Sequence, residues 1–170
     1  MRAYLITAAI VAASIVGRMA VADEAGVAFP SDYASKFTNY LSSDRVQNPD
    51  QIIRLFANDV AMSGAMQGKA LPDGSVLVGE IYAAKKDADG KVIVSSLGRR
   101  VSDKLVAVAV MEKRKGWGQR FPEELRNGDW DFAIFNPKGE KLDKDLNACR
   151  SCHAPLTSTD HLFSIEHIGR

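Results

Sequence analysis

Apolar side chains recur at two different periods along this chain, and the change between them divides it into two regions. In the first region the spacing is three or four residues, which is the period of an amphipathic helix. This spacing predicts a short helix over residues 33–41 and a longer one over Gln51 to Met66. Asp50 is the expected N-cap of the longer helix, and Gly68 lies beyond its end.

From Leu71 onward the period becomes two, which is typical of strands whose two faces have different surroundings. Turn sequences such as Pro72-Asp73-Gly74 precede the apolar runs. The uninterrupted apolar run Leu105–Met111 predicts a central strand that is buried on both faces, and a helix is the alternative that run length alone does not exclude. The predicted strands cover residues 75–82, 91–97, 105–111 and 130–135.

The predicted fold class is therefore α+β, with a mainly antiparallel β-sheet, flanking N-terminal helices and a C-terminal segment that follows the last strand. A length of 170 residues with 46% apolar side chains is sufficient for one domain with a buried core. The sequence contains no internal repeat and no low-complexity segment.

The first 22 residues have the three-part pattern of a secretory signal peptide. Arg2 precedes an uncharged apolar run from Ala3 to Gly17, and small residues follow at Ala20-Val21-Ala22. The apolar run is shorter than the roughly 18 to 20 residues that span a bilayer, which argues against a membrane anchor. We therefore expect cleavage near Ala22, export to the periplasm and a mature domain over residues 23–170.

Charge excludes one class of partner. Loss of Arg2 and Arg18 with the signal peptide reduces Lys plus Arg from 22 to 20 against 21 Asp plus Glu, so the net charge changes from +1 to −1. A nearly neutral chain has no electrostatic attraction for nucleic acid or for an anionic membrane. Nucleic acid is therefore not an expected partner.

The strongest chemical signal is Cys149-Arg150-Ser151-Cys152-His153, a C-x-x-C-H sequence. This spacing is the attachment pattern of c-type haem: each thiol adds across one vinyl group, and the adjacent histidine becomes an axial iron ligand. We expect one haem c, bound covalently through Cys149 and Cys152, with His153 on the iron.

Two other chemistries use the same residue types. A C-x-x-C redox disulfide belongs near the start of a βαβ unit, whereas this motif lies near the C-terminus after a β-rich stretch. A tetrahedral zinc site needs two further ligands, and only His161 and His167 remain as histidines. The haem reading accounts for the adjacent histidine without additional ligands.

The second axial ligand is not evident from the sequence. Electron-transfer haems usually pair histidine with methionine, but here the methionines of the mature chain, Met62, Met66 and Met111, all precede the motif. Each lies in a pattern that explains it as a core residue. His161 and His167 follow the motif closely and offer a second imidazole. Elimination favours an iron with one open face, with methionine and bis-histidine ligation as alternatives.

An open iron position in an apolar pocket binds neutral diatomic molecules, whereas polar groups beside it support activation of the ligand. Glu80 interrupts an apolar strand, and a solvent-facing side explains it most simply. Residues that either line such a pocket or fill the core are Phe37, Tyr40, Phe56, Tyr82 and Met111.

Positive clusters occur at Arg99-Arg100 and at Lys113-Arg114-Lys115. An arginine in either cluster could bind a haem propionate through two parallel hydrogen bonds. The alternative is a solvated edge of the sheet, where charged side chains discourage association with other strands.

The order and spacing of several motifs resemble those of the cytochrome P-460 family, over roughly Phe29 to Ile168. The haem motif is specific by itself, and the other motifs contribute through their order. The motifs that carry the resemblance are Leu71-Pro72-Asp73-Gly74-Ser75-Val76-Leu77-Val78, Arg120-Phe121-Pro122, Asn127-Gly128-Asp129-Trp130-Asp131-Phe132 and Ala148-Cys149-Arg150-Ser151-Cys152-His153.

The resemblance implies a mainly antiparallel β fold with flanking helices, a homodimer, a five-coordinate haem c and small nitrogen ligands. Family members that oxidise hydroxylamine carry a lysine crosslinked to the haem, whereas the related cytochromes c′-beta lack the crosslink and bind nitric oxide in an apolar pocket. In the alignment Gly79 occupies the place of that lysine. Gly79 thereby joins Phe37, Phe56, Tyr82 and Met111 as a candidate for the distal pocket.

The expected function is that of a periplasmic mono-haem cytochrome that binds or redox-processes nitric oxide or hydroxylamine. One alternative is an oxidoreductase of hydroxylamine, nitric oxide or peroxide, although Gly79 in place of the lysine argues against hydroxylamine oxidation. The other alternative is an electron-transfer cytochrome with a six-coordinate haem and a periplasmic redox partner.

Overall fold

The structure, a computed structural model, describes residues 26–68 and 70–170. The strands are β1 Thr38–Asp44, β2 Gln51–Ala57, β3 Val76–Ala84, β4 Ser102–Lys113 and β5 Trp130–Phe135. They form one antiparallel sheet in the order β1-β2-β3-β4-β5, so each strand pairs with its neighbour in sequence. This architecture confirms the predicted α+β fold class with a mainly antiparallel sheet. The predicted signal peptide lies outside the described residues.

Short helices accompany the sheet, and none in the described ranges is long and apolar enough to cross a membrane. The α-helices are α1 Tyr33–Lys36, α2 Asp59–Ala65 and α3 Asn147–His153. Single turns of 3-10 helix cover Trp117–Arg120, Glu123–Leu125, Thr157–Thr159 and Ile165–His167.

The two faces of the sheet have different coverings, because successive side chains of a strand point to opposite sides. We call the side covered by Val27 and Tyr33 the N-terminal face, and the side covered by α2, Leu162 and Ile168 the C-terminal face. The N-terminal face buries Val27, Tyr33, Phe56, Val78, Val108, Val110, Trp117, Ala133 and Phe135. The C-terminal face buries Ala57, Ala61, Leu71, Leu77, Trp130, Leu162 and Ile168.

The first predicted helix, over residues 33–41, is largely wrong. Only Tyr33–Lys36 is helical, and the chain then enters β1. The pairing of β1 with β2 shifts register between Asn39 and Leu41, which is the mark of a bulge around Tyr40. An extra residue in a strand moves the alternation by one, so apolar residues three or four apart also fit a bulged strand.

The second predicted helix, from Gln51 to Met66, contains a strand followed by a helix. Gln51–Ala57 is β2, and only Asp59–Ala65 is helical. The N-cap is Asn58 rather than Asp50, because the Asn58 side chain accepts a hydrogen bond from the Ala61 amide at 3.0 Å. Buried Ile52 and Phe56 are four residues apart, a spacing that fits two alternations of a strand as well as one helical turn. Hydrogen bonding to β1 on one side and β3 on the other makes residues 51–57 a strand.

The predicted strand over residues 91–97 is also wrong. The segment between β3 and β4 makes only isolated bridges, Lys86 with Val92 and Val94 with Arg100. Gly90 and Gly98 both adopt positive φ and reverse the chain twice within this segment. The stretches on either side of these two turns are too short to pair as regular strands.

The other three strand predictions are confirmed as β3, β4 and β5. The expectation that Leu105–Met111 is buried on both faces holds only in part. Val108 and Val110 are buried on the N-terminal face, but Ala107, Ala109 and Met111 on the other face are only half-buried. The C-terminal face is therefore incompletely covered by the protein itself.

Glu80 does not face solvent, since only 6% of the residue is exposed. It lies on the N-terminal face, where its carboxylate accepts hydrogen bonds from the Tyr33 hydroxyl at 2.9 Å and the Tyr82 hydroxyl at 3.1 Å. Arg54 completes the cluster, with Nη1 3.3 Å from Oε2 of Glu80. A carboxylate interrupts the apolar strand because buried phenols and a guanidinium compensate its charge.

The buried phenols predict a loss of stability at high pH. Burial raises the pKa of Tyr33, Tyr40 and Tyr82, with a value of about 12 for Tyr40. Unfolded tyrosine ionises near pH 10, so the unfolded chain releases these protons first and the free energy of unfolding falls as the pH rises from about 10 to 12. Urea unfolding at increasing pH measures this fall, and ultraviolet titration of the folded protein measures the phenols directly. Full phenol ionisation near pH 10 in the folded protein would contradict it.

Candidate haem-attachment site

The motif lies on α3, the helix that follows the edge strand β5. Cys149 and Cys152 are three residues apart and His153 is four residues from Cys149, so the three side chains share one side of the helix. Both thiols are free; Cys149 is half-buried and Cys152 is exposed. Burial raises the pKa of the Cys149 thiol, while the charges of Arg150 and Arg45 act in the opposite direction.

Arg150, inside the motif, attaches α3 to the sheet. Its Nη2 donates to Oδ1 of Asp131 on β5 at 2.7 Å, and its Nη1 donates to Oδ1 of Asn147 at 3.1 Å. The guanidinium also stacks over the ring of Phe121, 4.1 Å from the ring centroid. The Arg150 and Asp131 side chains are only 11% and 10% exposed, so the charges are compensated within the protein rather than by water.

Asn127 provides a second attachment. The residue is fully buried, and its side-chain amide donates to the carbonyls of Leu125 at 2.9 Å and of Arg150 at 3.1 Å. A loop side chain therefore holds the backbone of α3 in the middle of the haem motif. In the sequence, Asn127 and Asp131 are parts of one motif, and neither was predicted to have a role of its own. Asp131 stands between Trp130 and Phe132, and a charge within that apolar strand was the signal that could have identified it; Asn127 lies among polar residues and has no such signal.

The imidazole of His153 is held on several sides. Its Nδ1 lies 2.8 Å from the backbone carbonyl oxygen of His161. Phe132 and Phe163 contact the ring edge-on, with centroid distances of 5.2 and 4.9 Å. Burial lowers the pKa of His153, partly opposed by the bond to His161. A neutral ring that donates from Nδ1 carries its lone pair on Nε2, which is the form that coordinates iron.

His161 does not face the iron side of His153. Its Nδ1 lies 3.3 Å from the backbone carbonyl oxygen of His153, and its ring packs on Gly128. A ring held against this backbone cannot also lie across a haem from His153 without breaking these contacts. His167 is exposed and pairs with Glu166 at 3.4 Å. The geometry therefore gives no support to bis-histidine ligation.

An apolar area of the C-terminal face lies beside His153. Phe132, which contacts His153, pairs across the sheet with Met111, and the adjacent row of paired residues contains Gly79 between Leu55 and Ala109. Glycine and alanine at positions 79, 107 and 109 leave room on this side of the sheet, and at Gly79 the side chains of Ile53 and Leu55 fill part of it. We call this area the open face; its residues are Ile53, Leu55, Gly79, Ile81, Ala107, Ala109 and Ile134.

The structure does not bring the five candidate distal residues together. Gly79 and Met111 lie on the C-terminal face, whereas Phe56 and Phe37 pack in the cluster of the N-terminal face. The hydroxyl of Tyr82 bonds to Glu80 in the cluster with Tyr33. The sheet separates the two groups because residues paired across neighbouring strands share a face, and Phe56 pairs with Val78, the residue before Gly79.

The methionines and Tyr40 lie at different places in the structure. Met66 is 66% exposed, so its interpretation as a core residue is wrong, while Met62 and Met111 pack against the core of the C-terminal face. Tyr40 packs there too, and its hydroxyl lies 3.0 Å from Oγ of Ser164. Among the described residues, no group of three or more His, Cys, Asp or Glu side chains could hold a metal ion.

Both positive clusters are engaged with protein groups. Arg100 donates from Nη1 to the carbonyls of Arg45, Asn48 and Gln51, and Arg99 lies 3.6 Å from Asp44. Lys113 pairs with Asp160 and Arg114 with Glu112. These side chains stabilise loops and strand ends, so binding of a propionate would require them to exchange partners.

The sequence matches the model of the cytochrome P460 family over residues 30–164. This match covers most of the chain, and the chain therefore belongs to the cytochrome P460 family. No curated protein matches the sequence. Membership implies a haem cofactor. The residues present fit this group, since a histidine whose Nδ1 is bonded to a carbonyl, two thiols on one side of a helix and an apolar sheet surface lie in one region.

Removal of the Arg150 cation should destabilise the fold. Arg150→Met leaves the buried Asp131 carboxylate without its partner, and we expect a loss of about 3 kcal/mol in the free energy of unfolding. Chemical denaturation followed by circular dichroism measures this loss. Lys36→Met, which breaks the exposed pair with Asp32, is the matched control and should leave the unfolding midpoint unchanged. Equal midpoints for both variants would show that the buried pair does not hold α3.

Proposed function

We propose that this protein is an exported mono-haem c-type cytochrome that binds nitric oxide or a similar small nitrogen ligand. Cys149 and Cys152 hold the haem covalently, and His153 provides the proximal ligand through Nε2. The observation that carries the proposal is the position of His153, which is held by the His161 carbonyl and lies beside an apolar sheet surface. When bound, haem iron with one protein ligand supplies an open coordination position and a one-electron couple.

The chain's own residues act in three ways. Each thiol adds its S–H across a vinyl group, so that sulfur and hydrogen end on adjacent carbons and no net oxidation occurs. The His161 carbonyl fixes the tautomer of His153 and raises its basicity. The open face has only aliphatic and small side chains, so it offers no side-chain hydrogen bond to a bound molecule. Such surroundings favour capture of a neutral diatomic over its activation.

Hydroxylamine oxidation is the less favoured activity. Gly79 lies in the open face, where the sequence comparison expects the crosslinking lysine of the hydroxylamine-oxidising relatives. Lys85 and Lys86 lie beyond the end of β3 and are exposed, and Lys86 pairs with Asp50 at 2.6 Å. Lys69 is outside the described residues. Turnover of hydroxylamine by the purified protein would show that the missing lysine is not required and would favour the oxidoreductase.

Electron transfer remains a second candidate because of Met111. Its side chain lies on the C-terminal face and pairs across the sheet with Phe132, which contacts His153. A thioether at this position could occupy the sixth position of the iron and exclude diffusible ligands. Met111→Leu separates the two functions, since it changes the spin state of a methionine-ligated iron and leaves an open site unaltered.

The first experiment is the optical spectrum of the purified holoprotein as isolated, reduced, and reduced under carbon monoxide. We expect a high-spin spectrum that changes reversibly with carbon monoxide, and binding of nitric oxide under the same conditions. A low-spin spectrum that is indifferent to carbon monoxide would refute the open site and favour the electron carrier.

The attachment residues are tested by single substitutions. Cys149→Ser and Cys152→Ser each remove one thioether, so we expect less haem to survive denaturing electrophoresis followed by haem staining. Ser151→Ala, between the two cysteines, is the matched control and should retain all of it. Full covalent retention in both cysteine variants would contradict the proposed attachment.

The open face is tested by filling it. Ala109→Leu adds bulk next to Gly79, and we expect the affinity for carbon monoxide or nitric oxide to fall about tenfold or more, which corresponds to ~1.4 kcal/mol. Titration of the reduced protein measures this affinity. Ala34→Leu, on exposed α1, controls for the added side chain. If both variants bind like the wild type, the ligand does not bind at the open face.

The last part of the proposal concerns export, the redox partner and the assembly of the protein. The mature chain is expected to begin after Ala22 and to act in the periplasm, with a redox partner there and a homodimer as its assembly. N-terminal sequencing of the purified protein tests the cleavage, and a start at Met1 would contradict it.

A further inference from the structure

Asp160 and His161 form a dipeptide with left-handed backbone. Their φ angles are 52° and 62°, and they are the non-glycine residues with positive φ in the described part of the chain. Side chains other than glycine adopt this conformation at an energetic cost, and it persists where the surrounding contacts determine it. Two such residues in succession, next to a candidate iron ligand, therefore require a structural cause.

The cause lies in the contacts of Asp160. Its carboxylate oxygens lie 2.7 and 2.9 Å from Nζ of Lys113, at the end of β4, and one of them accepts a hydrogen bond from the Leu71 amide at 2.9 Å. The Lys113 and Asp160 side chains are only 15% and 11% exposed. The ion pair is thus shielded from water, and it attaches the dipeptide to the rigid sheet.

The consequence of this backbone is the direction of one carbonyl group. His161 donates from its amide to the Leu156 carbonyl at 2.7 Å, and its own carbonyl accepts from Nδ1 of His153 at 2.8 Å. A change of φ at either left-handed residue would turn this carbonyl away from the imidazole. The chain of contacts therefore runs from Lys113 through Asp160 and His161 to His153.

We propose that Lys113 and Asp160 are positioning residues that set the strength of the iron–histidine bond. The inference rests on the proposed function, since it takes His153 as the iron ligand. A strong hydrogen bond from Nδ1 makes the imidazole a more basic ligand, which strengthens its bond to iron and favours the ferric state. Loss of the ion pair loosens the carbonyl, weakens this hydrogen bond and favours the ferrous state.

The test uses the holoprotein with Lys113→Met, Asp160→Asn and the double variant. Asparagine keeps an acceptor for the Leu71 amide and tolerates the left-handed conformation, so Asp160→Asn removes the charge with little strain. We expect both single variants to raise the reduction potential and to lower the iron–histidine stretching frequency in resonance Raman spectra of the ferrous protein. The double variant should add little to either single effect, because the two residues act through each other.

Two further variants control the test. Lys113→Arg keeps the cation and should restore values close to those of the wild type. Lys86→Met breaks the exposed pair with Asp50, far from the dipeptide in sequence, and should change neither readout. Unchanged potential and frequency in Lys113→Met and Asp160→Asn, with haem fully retained, would overturn the inference.

Failure of the proposed function gives a different result. A wild-type protein that is low-spin and indifferent to carbon monoxide refutes the open site, yet its reduction potential still responds to the two variants if His153 is held as inferred. A His153→Ala protein with an unchanged iron spectrum would overturn both proposals, because His153 would then not bind the iron.

Discussion

The pleat of the five-stranded sheet is the constraint on which the rest of the structure depends. Successive side chains of each strand point to opposite sides, so one sheet separates two environments. The N-terminal face is closed by Val27, Tyr33 and their neighbours, and it even buries the carboxylate of Glu80. The C-terminal face is closed only at one end, by α2 and the C-terminal residues. The remainder carries buried Gly79 and half-buried Ala107 and Ala109, and the haem motif lies beside it.

A helix of seven residues such as α3 would not hold a motif in one orientation by itself. Here two buried polar contacts supply that order: the pair of Arg150 with Asp131 and the hydrogen bond from Asn127 to the Arg150 carbonyl. Both contacts are made by Arg150, the first of the two residues between the cysteines. Burial of such a pair contributes orientation more than net stability, because desolvation offsets much of its electrostatic attraction.

His153 joins the two parts of the site. Its ring contacts Phe132 of the sheet and Phe163 of the C-terminal segment, and its Nδ1 is bonded to the His161 carbonyl. The same C-terminal segment is tied to β4 by Asp160 and Lys113. The His153 imidazole, the apolar surface and the segment whose carbonyl bonds to the imidazole are thus all supported by the sheet. Electrostatics and packing act together here, since an apolar surface alone would leave the imidazole free to rotate.

The sequence by itself predicted the chemistry of the site and determined the strands β3, β4 and β5. The C-x-x-C-H spacing is local, so Cys149, Cys152 and His153 could be predicted as haem-attachment residues without a fold. The apolar patterns of β3, β4 and β5 sufficed to predict strands, although the run in β4 also fitted a helix. Family membership, expected from a few motifs, is confirmed over residues 30–164.

Tertiary structure decided what local spacing leaves ambiguous. A spacing of four residues, as between Ile52 and Phe56, fits a helix and a strand equally, and only pairing with β1 and β3 made Gln51–Ala57 a strand. The same holds for the distal candidates: Phe56 and Gly79 are both apolar in sequence, but the register of β2 on β3 sends them to opposite faces. The roles of Arg150, Asp160 and Lys113 depend on partners 19 and 47 residues away. Contacts of that range arise only when the chain folds, because they are made by the sheet and not by any local pattern.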